Sequence, residues 1–149
     1  MRRLRLWTLC LVAVMPCSAM AAVVATQLDE ANIAQRPGGL DAIAGQGDWL
    51  LSNGVLCAAV SAIGHETGLS LTGGWLIDLG HCGRGDDQFL YTHILPSMAR
   101  DRILPAREIV AESSAGQASL TVLRRDDALQ MTVRYSLDQA EPEQLTIET

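Results

Sequence analysis

Ala118–Tyr135 reads ASLTVLRRDDALQMTVRY, and the rhythm of this stretch decides the fold. Leu120 and Val122 alternate with Ser119 and Thr121. Met131, Val133 and Tyr135 alternate with Thr132 and Arg134. A period of two places one set on each face of a strand. Arg124-Arg125 and Asp126-Asp127 between the runs read as a solvated hairpin tip. The stretch is therefore expected to form an antiparallel pair with one face on a core and one in water.

The pattern continues on both sides. Arg107–Glu112 (REIVAE) and Leu145–Glu148 (LTIE) are further short strands, set off by SSAGQ at 113–117 and DQAEPE at 138–143. Upstream, Asp48–Ser52 (DWLLS) meets Asn53-Gly54, a strong hairpin signal. Val55–Ala62 (VLCAAVSA) returns with small apolar residues suited to burial on both faces. Gly73-Gly74 turns into Trp75–Leu79 (WLIDL), and Phe89–Leu95 (FLYTHIL) is a further apolar run. Gly64–Gly68 and Gly80–Gln88 are polar loops. Thr26–Gln35 is expected as a short helix or ordered linker, broken by Arg36-Pro37-Gly38-Gly39. Strands separated by turn signals imply an all-β fold, an antiparallel β-sandwich or large meander. Glu143–Thr149 has the pattern of a strand with no covering element, which predicts an incomplete domain whose natural chain continues.

The N-terminus carries a different signal. Arg2, Arg3 and Arg5 precede the apolar Leu6–Met15, Pro16 ends that run, and Ala19-Met20-Ala21 supplies small residues for a peptidase. This is the order of a secretory signal, with cleavage expected after Ala21. The expected organisation is a signal over 1–21, a linker or short helix over 22–47, and an antiparallel β-domain over 48–149. The rival is an uncleaved anchor over Leu6–Ala25, interrupted by Pro16 and Ser18. Cys17 is a poor lipoprotein site, because Pro16 precedes it where a small residue is wanted.

Composition bounds the partners. All eleven basic residues are arginine. Cleavage removes three of them and none of the seventeen acids, so the mature charge deepens from −6 to −9. Such a surface disfavours nucleic acid and offers no basic patch to anionic lipid, so no membrane contact is expected after cleavage. Cys10 and Cys17 leave with the signal, and Cys57 and Cys82 remain. An even pair in an exported chain is first read as a disulfide, closing a loop of about 26 residues worth about 3.5 kcal/mol. Free or metal-binding thiols are the alternative.

Several residues invite a chemical reading. His65-Glu66 opens like a zincin motif, but Leu69 stands where the second histidine belongs. His81, Cys82, Asp86, Asp87 and His93 are a denser set of metal-ligand types, although their spacing matches no closed site. The bland reading is a polar loop holding half a disulfide. The sharper ones are a metal site or a Cys82 nucleophile. Arg84-Gly85-Asp86 spells an adhesion tripeptide of a kind that arises by chance. Trp49 and Trp75 are candidates for stacking on a carbohydrate, against a core role that their apolar surroundings favour.

Gly47-Asp48-Trp49-Leu50-Leu51-Ser52-Asn53-Gly54, then Val55–Val60, then Gly73-Gly74-Trp75-Leu76-Ile77-Asp78, resembles the N-terminal β-domain of large secreted bacterial proteins with a PHP-type metallohydrolase domain. The resemblance implies a mutarotase-like supersandwich acting as an accessory module. It carries no catalytic residue here and no cofactor in this segment, and it places any divalent metal in a downstream domain. The function expected is thus an exported, non-catalytic region of a larger envelope protein, partnered by that catalytic domain. The alternatives are a self-contained carbohydrate- or surface-binding module and a metal- or thiol-dependent hydrolase using the His81–His93 region.

Overall fold

The computed structural model describes residues 22–67, 72–96 and 103–149. The signal sequence and its Ala21 site lie outside the described residues. Two four-stranded antiparallel sheets form a β-sandwich, as the alternation requires. The first sheet is a meander of β1 (Val24–Gln27), β2 (Trp49–Ser52), β3 (Leu56–Val60) and β4 (Leu76–His81). The second is a meander of β5 (Ala106–Ser113), β6 (Gln117–Arg125), β7 (Gln130–Asp138) and β8 (Leu145–Glu148).

The main core lies between the sheets. Leu120 and Val122 from β6 and Val133, Tyr135 and Leu137 from β7 meet Leu51, Ala58, Val60 and Leu76 from the first sheet. These are the inward residues that the period of two selects. The outward residues of the first sheet are buried as well. Leu50, Cys57, Ala59 and Ile77 form a second cluster with Leu28 and Ala44, which come from the segment between β1 and β2. Strand β3 is consequently buried at all five positions.

Three departures from the sequence reading have local causes. Thr26 and Gln27 belong to a strand, with Val24 opposite Ser52 and Gln27 opposite Trp49. Within Thr26–Gln35, Ile33–Gln35 alone is helical, a single 3-10 turn. Asp29 and Asn32 take the intervening backbone. Asp29 Oδ1 accepts from the Ala31 and Asn32 amides, while Asn32 Oδ1 accepts from the Asp29 amide. Such side-chain bonds compete with helix. Second, Phe89–Leu95 is irregular rather than a strand. Phe89 packs on the main core and Ile94 touches both clusters, while Leu90 is exposed. Third, Arg124 is not at a solvated tip. It is fully buried on the inward side of β6.

The Asn53-Gly54 signal does produce the β2–β3 hairpin, with Ser52 opposite Cys57. Gly54 has φ +86°, which glycine adopts without a Cβ penalty. Asn53 Oδ1 accepts from the Val55 and Leu56 amides. Its Nδ2 donates to the carbonyls of Asp138 and Pro142, so the turn is also tied to the second sheet.

Candidate functional site

The residues that sequence grouped as a possible reactive loop separate in the fold. Cys57 on β3 and Cys82, just beyond β4, form a disulfide with a Cα–Cα distance of 5.0 Å. Leu56 pairs with His81, which brings the two cysteines into range. The Cys82 nucleophile is thereby corrected, since a disulfide sulfur carries no thiolate. His81 turns instead to Asp86. Its Nδ1 lies 2.7 Å from Asp86 Oδ2, and its backbone amide donates to Oδ1 at 2.8 Å. The backbone bond first, then the His81 side chain, holds the Asp86 carboxyl below its ordinary range. The Arg84-Gly85-Asp86 tripeptide therefore presents an aspartate already engaged by its own loop.

His93 lies elsewhere, against Trp75 and Tyr91, with ring centroids 4.6 Å apart in both cases. Its Nε2 is buried and has no hydrogen-bond partner among the described residues. Burial, and secondly Arg124, lower its pKa. His81, Cys82, Asp86 and His93 thus do not converge on one point. Among the described residues, no group of three or more His, Cys, Asp or Glu side chains is placed to hold a metal ion.

Trp75 is 1% exposed and belongs to the cluster under the covering segment. The Arg124 guanidinium carbon sits 3.3 Å from its ring centroid, so that face is unavailable to a sugar. Trp49 is half-buried and packs on the main core. Arg124 also donates from Nη1 to the Leu104 carbonyl and from Nη2 to those of Gly73 and Gly74. Burial lowers its pKa to about 10, which leaves it charged at neutral pH. Gly74 makes this approach possible: a Cβ there would lie 3.0 Å from Arg124 Nη2 and 2.8 Å from Val122 Cγ1, whereas one on Gly73 would lie 1.6 Å from the Ala62 carbonyl oxygen.

Three buried aspartates form the most developed polar arrangement, and sequence reading missed it. Asp48, Asp78 and Asp87 are all fully buried. Asp78 accepts the Ile43 amide at 2.9 Å and the Ala44 amide at 2.7 Å. Asp48 accepts the Gly45 and Ala62 amides, with His65 Nδ1 at 2.7 Å. Asp87 Oδ1 accepts the Leu79 and Phe89 amides, while the Asp87 amide donates to the Gly38 carbonyl. Each carboxylate fastens an irregular segment to the first sheet. A bulge in β4 aims Asp78 correctly: Ala59 faces Asp78 while Val60 faces Leu76, which leaves Ile77 between the pairs. Burial raises the Asp78 pKa, the two amides oppose this, and Asp87 and Asp48 add to the rise. The available sequence signal was an acid beside a glycine or inside an apolar strand, at Gly47-Asp48 and Ile77-Asp78.

The second sheet carries an open surface concavity. A hollow of about 510 Å³ is lined by Glu112, Ser113, Ser114, Gln117, Ser119 and Arg134. Arg134 Nη2 donates to Ser119 Oγ at 3.2 Å. No helix among the described residues is long and apolar enough to cross a membrane. No protein-family model, curated protein or solved structure matches this chain.

Proposed function

We propose that this chain is an exported accessory β-sandwich region of a larger envelope or secreted protein, non-catalytic itself and N-terminal to a metal-dependent hydrolase domain. The observation that carries the reading is the use made of the residues behind the resemblance. Asp48 and Asp78 hold the covering segment, Asn53 ties the hairpin to the second sheet, and Gly74 admits Arg124. They serve as scaffold, which supports an accessory rather than a catalytic role. Export is supported by the Met1–Ala21 pattern and by the disulfide, which suits an oxidising compartment.

Sequencing the gene beyond the Thr149 codon tests the hydrolase partnership. A domain rich in histidine and aspartate is expected, and an immediate stop codon contradicts it. Mass spectrometry of the exported protein tests the signal, with a new N-terminus at Ala22 expected and an intact Met1 against it.

A carbohydrate-binding module is the second reading. The hollow beside Arg134 favours it, because hydroxyl, amide and charged groups line one open concavity. Glycan binding that survives at Trp75→Phe and is lost at Arg134→Ala would promote it.

A further inference from the structure

The hollow on the second sheet holds two opposite charges that do not meet. Strand alternation puts both on the outer face. Glu112 on β5 lies opposite Ser119 on β6, and Ser119 lies opposite Ser136, next but one to Arg134 on β7. Glu148 of β8 is the register neighbour of Arg134 on the far side, but the arginine side chain leans the other way: its Nη2 donates to Ser119 Oγ at 3.2 Å. Its other N–H groups have no partner among the described residues. Nε is buried, whereas Nη1 is not enclosed. Neither Arg134 nor Glu112 takes part in an ion pair among the described residues.

A ligand of one sign fits this arrangement poorly. A simple anion on Arg134 meets the Glu112 carboxylate across Ser119 and has Glu148 behind it. A simple cation on Glu112 meets the guanidinium. Opposite charges on either side of one buried serine suit a molecule that carries both. The rim is already fixed by its own bonds. The Ser114 amide and Oγ both donate to the Gln117 carbonyl, and Ser113 Oγ accepts from the Ala25 amide. The charges and the exposed Gln117 amide are therefore the groups left for a ligand. A hollow of about 510 Å³ is of small-molecule size.

We propose that this hollow binds a small zwitterion, a free α-amino acid with a polar side chain. The ligand's carboxylate accepts from Arg134 Nη1, a charge-assisted bond that the unpaired guanidinium is free to make. Its ammonium donates to the Glu112 carboxylate, and its side chain lies beside Gln117. Ser119 acts through Arg134, holding the guanidinium over the hollow. The inference goes beyond the accessory-region reading and does not rest on it: a stop codon after Thr149 would remove that reading and leave this one intact. It also gives the hollow a doubly charged ligand where the carbohydrate reading gives it a neutral one, and the test separates the two.

The test titrates the full chain with L-serine, with ethanolamine, which lacks the carboxylate, with β-hydroxypropionate, which lacks the ammonium, and with glucose. Amide chemical shifts in NMR spectra read both affinity and site. L-Serine is expected to bind about tenfold more tightly than ethanolamine and about threefold more tightly than β-hydroxypropionate, because Arg134 is half-buried and Glu112 is exposed. The shifts should centre on 112–119 and Arg134. Arg134→Gln should erase the preference over ethanolamine, and Glu112→Gln the preference over β-hydroxypropionate. Damage to the fold would weaken every ligand alike and leave those preferences in place, so preferences that survive both substitutions count against the proposal. Equal affinity for the three charged ligands, shifts centred elsewhere, or no saturable shift with L-serine would each overturn it. Tighter binding of glucose than of L-serine would overturn it in favour of the carbohydrate reading.

Discussion

The two sheets are alike in topology and unlike in their outward faces. In the first, the outward residues Leu50, Ala59 and Ile77 are buried beneath the segment that joins β1 to β2. In the second, the outward positions hold Val110, Thr121, Thr132 and Arg134, and Val110 is 42% exposed. Twenty-odd residues of irregular chain make the difference, and irregular backbone cannot lie on an apolar face unless its amides are satisfied. Asp48 and Asp78 accept three of those amides. The comparison teaches that buried carboxylates let one sheet be closed on both sides, while its partner remains half open.

The largest disturbance should come at Arg124, where the two halves are fastened. Arg124→Met leaves the carbonyls of Leu104, Gly73 and Gly74 without their donors and removes the cation from the Trp75 face. A loss of about 4 kcal/mol is expected, since each orphaned buried group costs about 1–3 kcal/mol. Urea unfolding measures it. Next is the disulfide. Cys57→Ser with Cys82→Ser should cost about 3.5 kcal/mol on the chain-entropy model. The same equilibrium measurement checks the value, and two titratable thiols in the native protein would remove its basis.

A matched pair of substitutions isolates the comparison itself. Ile77→Ala, on the covered outward face, should cost about 2–5 kcal/mol. Val110→Ala, on the open outward face, should cost about 0.5 kcal/mol or less. Similar losses at both sites would mean that the second sheet is covered too.

The smallest effect expected is a pH dependence at Asp78. Burial, aided by Asp87 and Asp48, holds this carboxyl above 3.8 in the folded chain. Protonation therefore favours the folded state. The contribution is fully present below the unfolded carboxylate value and is lost as the pH rises through the raised folded value. Asp78→Asn abolishes this titration. The stability of the wild type relative to Asp78→Asn should increase as the pH falls from 7 towards 4, and a flat difference would contradict the assignment.

Much of the fold was legible because its signals are local. Alternation at Leu120–Val122 and Met131–Tyr135 marks β6 and β7, and Asn53-Gly54 marks the hairpin that sets Ser52 opposite Cys57. Strand β1 was not legible, since four residues between an alanine-rich run and a polar one become a strand only through pairing with β2. Phe89–Leu95 misleads for the converse reason: Phe89 and Ile94 are consumed as a cover, while Leu90 stays exposed. The candidate chemistry failed on distance. His81 and His93 are near in sequence, but one meets Asp86 at the surface and the other is enclosed with Trp75. Asp78 reaches amides 34 and 35 residues away, and no local pattern announces such a partner. Arg124 read as a charge on a turn, and only packing reveals that it is the fastener between the sheets.

Amide hydrogen exchange on the full chain tests the asymmetry most directly. The amides of Ile43, Ala44 and Gly45, bonded to Asp78 and Asp48, should exchange slowly although they lie outside any strand, and those of Ile43 and Ala44 should quicken in Asp78→Ala. Rapid exchange at 43–45 in the wild type would contradict the picture of a first sheet whose outward face is closed by carboxylate-bonded chain.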